Sequence, residues 1–128
     1  MLYKETFYCL VAGSRTFNNY ALLEQKLNIA LQRQHDKDIV IVSGGARGAD
    51  ALAERYAKEH GYQLRVFPAN WNKHGRRAGM IRNEEMHKFI SQFPYRGCIC
   101  FWDGASSGTK NNFGLCAKFN TPLRVVRF

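Results

Sequence analysis

The sequence predicts a three-layer α/β domain spanning residues 1–128, built on a mainly parallel five-stranded sheet. Three observations carry that reading. Short apolar runs rich in β-branched residues recur along the chain, each separated from the next by a segment of helical periodicity. Glycine-rich turns collect where the strands end. Helices between strands imply parallel pairing through right-handed crossovers. The expected strand order is 3-2-1-4-5, with the first strand central and a switch point between strands one and four.

The elements follow in order. "TFYCLVAG" (6–13) is the first strand. "NNYALLEQKLNIALQRQ" (18–34) is a helix, with Leu23, Leu27, Ala30 and Leu31 at helical spacing and Asn18 or Asn19 as its cap. "DIVIVSG" (38–44) is the second strand. "GADALAERYAKEHG" (48–61) is a helix whose Leu52, Ala53, Tyr56 and Ala57 share a face, with Gly61 as its stop. "YQLRVFPA" (62–69) is the third strand, ended by Pro68. The basic loop "NWNKHGRRAG" leads into a helix near 77–91, with Met80, Ile81, Met86, Phe89 and Ile90 as apolar candidates. "GCICFWDG" (97–104) is the fourth strand, "SSGTKNNFGLCAKFN" (106–120) a turn into a helix, and "PLRVVRF" (122–128) the last strand. Repeats, linkers and low-complexity tracts are absent from the sequence.

Composition narrows the function classes. Hydrophobic residues at 45% exclude a disordered chain. The formal charge of +9 suits a phosphate-bearing partner, because several cations sit in the glycine loops and not only on helix backs. The four cysteines (Cys9, Cys98, Cys100 and Cys116) make no C-x-x-C pair, and no Cys/His cluster has zinc spacing, so no metal site is expected. They read as small, buried, reduced hydrophobes, with Cys98 and Cys100 on one strand face. Reduced cysteines, with no charged-then-apolar leader and no apolar run of bilayer length, set the expectation of a cytoplasmic protein without a membrane partner.

The unusual residues gather in three loops at the carboxyl ends of strands: "AGSR" (12–15), "SGGARGAD" (43–50) and "DGASSGT" (103–109). Each leads toward a helix N-terminus, where free N–H groups and the positive end of the helix dipole attract anions. Glycine lets the main chain approach a ligand. The ligand-binding candidates in these loops are Gly13, Ser14, Arg15, Ser43, Gly44, Gly45, Gly48, Asp50, Asp103, Ser107, Gly108 and Thr109. Arg77, Arg82 and Asn83 join them from the basic segment "NWNKHGRRAGMIRNEEM", where Arg76 and nearby Arg47 add charge. Cations near a helix start oppose its dipole unless an anion offsets them. "SGGARGAD" is not G-x-G-x-x-G and follows the second strand, and "GASSGTK" misses P-loop spacing, so neither a conventional dinucleotide site nor a Walker-type ATPase is expected. Asp50 either caps its loop or accepts hydrogen bonds from a ribose or a base. Trp71 either stacks on a base or packs at the rim.

The stretches "VAGSR", "IVSGGARGADALAERYA", "FPANWNKHGRRAGMIRNEEM" and "FWDGASSGT" resemble the YspA-like, cpYpsA-related branch of the SLOG superfamily, in order and over nearly the whole chain. The resemblance implies a Rossmann-like domain and a nucleotide or nucleotide-derived ligand, such as a nucleotide-sugar small molecule. Related Lonely Guy enzymes cut an N-glycosidic bond with an arginine in a Met-x-x-Arg-Lys type helix and a glutamate in a Gly-Gly-x-Gly-Thr-x-x-Glu motif. "MIRNEEM" puts Arg82 near the first, with Asn83 in the lysine position. "SSGTKNN" keeps only Gly108 and Thr109 of the second, with Asn112 in the glutamate position. An amide cannot take a proton. An enzyme reading therefore leans on Arg82 and on Glu85 or Glu84 as catalytic candidates. Smf-type (DprA) proteins bind single-stranded DNA with related loops, and their helix carries an Arg-Asn pair like Arg82–Asn83. The leading expectation is a nucleotide-binding or sensing module. A nucleoside-phosphate N-glycosidase and a single-stranded DNA binder are the alternatives, and the kin suggest a homodimer.

Overall fold

The computed structural model describes residues 4–128. Its elements are β1 (Thr6–Gly13), α1 (Tyr20–Leu31), β2 (Asp38–Ser43), α2 (Ala49–Glu59), β3 (Gln63–Val66), α3 (Trp71–His74), α4 (Ala78–Ile90), β4 (Arg96–Trp102), α5 (Ser107–Phe119) and β5 (Leu123–Arg127). All five strands run parallel in the order β3-β2-β1-β4-β5, the predicted Rossmann-like arrangement. Central β1 pairs Phe7 with Ile39 of β2 on one side and Leu10 with Cys98 of β4 on the other.

Strand alternation splits the core in two. Cys9, Val11, Ile39, Ile41, Ile99 and Phe101 face α1 and α2, against Leu23, Leu27, Ala53 and Tyr56. Leu10, Ala12, Val40, Val42, Cys98 and Cys100 face α4 and α5, against Met86, Ile90 and Cys116. All four cysteines are buried free thiols. Among the described residues no helix is long and apolar enough to cross a membrane.

The element ends differ from the sequence reading for local reasons. The Asn19 side chain accepts from the Leu22 N–H at 3.0 Å, so α1 starts at Tyr20, and it tightens into a 3₁₀ turn over Gln32–Gln34. β3 stops at Val66, and Pro68 has no N–H to continue the ladder. The basic loop contains α3, capped by Asn70, then a 3₁₀ turn at Gly75–Arg77 where Gly75 has φ +58°. Met80, one of the apolar candidates of this helix, is 59% exposed on α4.

One close approach positions the loops beyond β1, β2 and β4. Ser14 is buried at the end of β1. Its N–H donates to the Phe101 carbonyl at 2.9 Å, and its carbonyl accepts from Ala49 N–H at 3.3 Å and Phe17 N–H at 3.1 Å. Its hydroxyl accepts from Asp103 N–H at 3.3 Å. Gly48 permits this: it has φ +78°, and a Cβ there would lie 2.4 Å from the Ser14 carbonyl oxygen. Gly48→Ala is therefore expected to lower unfolding free energy by about 3 kcal/mol or more in urea melts. Gly114→Ala, in open space on α5, is expected to be neutral or stabilising by up to about 1 kcal/mol. Equal losses in the two variants would contradict this account.

Candidate functional site

At the third loop, the Asp103 carboxylate accepts from Ala105 N–H at 2.9 Å and Ser106 N–H at 2.8 Å. These backbone bonds hold Asp103 below the usual carboxylate range. Ser106 caps α5 by accepting from Thr109 N–H at 3.3 Å. The N–H groups of Ser107 and Gly108, in the first turn, have no carbonyl within the helix to reach. Both residues are exposed and line the cleft beside α4.

α4 supplies the clamp between the second and third loops. Arg82 donates through Nη1 to the Gly44 carbonyl and through Nε to Asn83 Oδ1 at 2.9 Å. Asn83 Nδ2 donates onward to the Gly108 carbonyl at 3.3 Å and to Asn111 Oδ1 at 3.1 Å. A Cβ on Gly44 would sit 2.6 Å from Arg82 Nη1 and 2.8 Å from Asp50 Oδ2, so a side chain there displaces one of these two groups. The guanidinium and the carboxylate both close on the same side of Gly44, where a Cβ would point. In the second loop Ser43 Oγ donates to Glu54 Oε2 at 3.0 Å and accepts from Gly45 N–H at 3.2 Å. Asp50 Oδ2 accepts from Ala46 N–H at 3.2 Å, which closes the glycine turn.

Burial pushes the Asp50 carboxyl up to about 6, against the Ala46 N–H bond and the nearby Arg82 and Arg15 charges. Burial also pulls Arg82 below its ordinary value, opposed by the Asp50 charge. Arginine remains charged at neutral pH regardless. Nη2 carries no bond to the protein among the described residues, which leaves it free for a cleft occupant.

These groups surround a cleft of about 380 Å³ at the β1/β4 switch point, walled by Gly13, Asp50, Arg82, Asn83, Ser107 and Gly108. A second lobe of about 310 Å³ adjoins it, lined by Gly44, Gly45, Arg47 and Pro68. Arg15, Ala46, Trp71 and Arg82 border both lobes. The Arg15 guanidinium lies 5.6 Å from the Trp71 ring centroid, and Trp71 is 49% exposed.

The fold thus brings Gly13, Arg15, Asp50, Arg82, Asn83, Ser107, Gly108 and Thr109 to one cleft, with Gly44 and Gly45 in the adjoining lobe. Ser14 and Ser43 stand behind it, buried: Ser14 ties the first loop to the third, and Ser43 braces the second loop from within. Gly48 packs against the Ser14–Arg15 backbone, and Asp103 braces its turn. Arg77 is exposed in the 3₁₀ turn outside both lobes, and Arg76 takes the wall position instead. Glu85 is exposed on α4 outside both lobes, and Glu84 pairs with Lys118 at 2.7 Å. Met80, Met86 and Asn112 also line the cleft.

Residues 8–74 match the family described as YspA, cpYpsA-related SLOG. The gene 61 protein of Mycobacterium phage D29 is 32% identical over 119 residues, covering 89% of this chain and 91% of that protein. The chain belongs to the YspA, cpYpsA-related SLOG family. Two solved structures share the fold of this SLOG chain at low identity. DNA processing protein A from Helicobacter pylori, described for its single-stranded DNA binding mode, aligns with TM-score 0.66 at 19% identity, over 93% of this chain and 64% of that one. Translation initiation factor eIF-2B from Pyrococcus horikoshii OT3 aligns with TM-score 0.56 at 13% identity, over 96% of this chain and 40% of that one. The SLOG chain spans less than two thirds of either structure.

The raised Asp50 value has a stability consequence with a definite sign. The folded state holds this proton more tightly than the unfolded state, whose carboxyl titrates near 3.8. Stability is therefore lost as pH rises from about 4 through about 6, by at most about 3 kcal/mol. Asp50→Asn keeps an oxygen for Ala46 N–H and removes the titration. The variant's urea stability is expected to gain on the wild type as pH rises from 4 to 7. Parallel pH profiles would contradict the assignment.

Proposed function

We propose that the chain is a binding module for a nucleotide or nucleotide-derived ligand, held at the β1/β4 switch point. The observation that carries the reading is the meeting of the Arg82 guanidinium with the Ser107 and Gly108 N–H groups in one cleft. A phosphate there accepts from the α5 N-terminus and from Arg82 Nη2. Asp50, which also lines the cleft, is the candidate acceptor for sugar hydroxyls. Trp71, with Arg15 above it, offers a flat exposed face for a base. Family membership and the combined size of the two lobes support a small-molecule ligand.

Binding is favoured over turnover. Asn112 occupies the position at which Lonely Guy-like sequences carry their glutamate, and its amide is bonded to backbone carbonyls of α5. Among the described residues Asp50 is the carboxylate lining the cleft. A ligand is expected to raise the melting temperature without release of free base.

A second reading has its own observation. Exposed Trp71 beside Arg15, with Arg47 and Arg76 in the two lobes, forms a basic, aromatic surface suited to single-stranded DNA. The two readings differ in salt dependence. DNA affinity falls steeply with salt in proportion to the phosphates engaged, and a mononucleotide gives a shallow slope.

The test is a calorimetric titration of wild type and Ser107→Asp with nucleoside mono- and diphosphates. An acidic residue in the first turn of α5 favours the helix dipole, so the fold is kept. The same charge repels an anion in the cleft. Affinity is expected to fall at least about tenfold, equivalent to about 1.4 kcal/mol. No heat with any nucleotide in the wild type, or unchanged affinity in the variant, would refute the reading.

A further inference from the structure

Behind the cleft, on the α4/α5 face of the sheet, lies a cluster that sequence spacing conceals. His87 of α4, Cys98 of β4 and Cys116 of α5 place one nitrogen and two sulfurs within 4.8 Å of one another, all buried. Cys100 Sγ is 3.7 Å from Cys98 Sγ. The ligands come from three elements, so no C-x-x-C or zinc-like spacing marks them.

The imidazole is set for a ligand on one nitrogen. Asn112 Nδ2 donates to the carbonyls of Gly108 and Thr109, both at 3.3 Å, which turns its Oδ1 toward His87. His87 Nε2 lies 2.9 Å from that oxygen and so carries the proton. Nδ1 is then a bare lone pair, fully buried, with no hydrogen-bond partner. An unpaired buried acceptor of this kind is rare and costly. A histidine fixed through its other ring N–H by an amide or carboxyl oxygen is the arrangement found at metal ligands.

We propose that His87, Cys98 and Cys116, with Cys100 as fourth ligand, form a closed tetrahedral site for a thiophilic divalent ion of the zinc class. A tetrahedral ion with metal–sulfur bonds of about 2.3 Å sets its sulfurs about 3.8 Å apart, close to the Cys98–Cys100 separation. His with three cysteines is an established structural zinc donor set. On binding, three thiol protons leave to solvent and His87 Nδ1 gives its lone pair. An ion there ties α4, β4 and α5 together directly behind the cleft wall, through Asn112. The inference does not rest on the nucleotide reading.

The test uses the reduced full-length chain and Co²⁺, added to the native protein and, separately, present during refolding from urea. The expected result is one Co²⁺ per chain, with a sulfur-to-cobalt charge-transfer band, tetrahedral visible bands, and displacement by Zn²⁺. Cys9 lies on the opposite sheet face, so Cys9→Ser is expected to leave the spectrum intact. Cys116→Ser is expected to lose about a third of the charge-transfer intensity, one thiolate of three. Absence of the charge-transfer band in the wild type under both conditions would overturn the proposal. So would full intensity in Cys116→Ser.

Discussion

The C-terminal edge of this sheet depends on how closely the first turn of α2 comes to the Ser14 carbonyl. Parallel strands β1, β2 and β4 end side by side, but their loops would diverge without a common anchor. Ser14 is that anchor: it bonds to Phe101 and Asp103 at the end of β4 and to Ala49 at the start of α2, each through a different atom or group. Glycine at 48 and at 13 lets backbone meet backbone there, since a Cβ on Gly13 would lie 2.6 Å from the Phe101 carbonyl oxygen. The glycines of the second loop thus do two separate jobs. Gly48 brings the loops together, and Gly44 clears a place for Arg82.

The clamp around Gly44 follows from that anchoring. Arg82 reaches across from α4 only because the loops are already adjacent, and Asn83 carries the connection on to α5. Two of the guanidinium's nitrogens are fixed by the protein, so its remaining edge is held in orientation before any ligand arrives. The buried carboxyl of Asp50 approaches the same side of Gly44, with its value raised to about 6. On the proposed reading, an anion in the cleft would raise it further and couple its binding to proton uptake.

The architecture was legible because strand and helix periods alternate cleanly and each strand is short. The three glycine loops were legible because strand order makes them neighbours. The division of labour inside them was not. Ser14, Ser43 and Gly48 look like phosphate ligands in a linear motif, and only the burial of the serines and the φ of Gly48 show the bracing contacts they make. Arg76 and Arg77 are indistinguishable by spacing; the 3₁₀ turn after Gly75 decides which one lines the cleft. His87, Cys98 and Cys116 lie on three elements, so their meeting depends on packing that no spacing rule encodes.

The central claim is that separate loops form one anion-binding surface. Amide and guanidinium chemical shifts recorded in ¹⁵N-labelled protein during titration with pyrophosphate test it most directly. The account predicts that Ala46, Ser107, Gly108 and the Arg82 Nε–H move together along a single saturation curve. Shifts scattered over exposed lysines, or loops saturating at different concentrations, would contradict it.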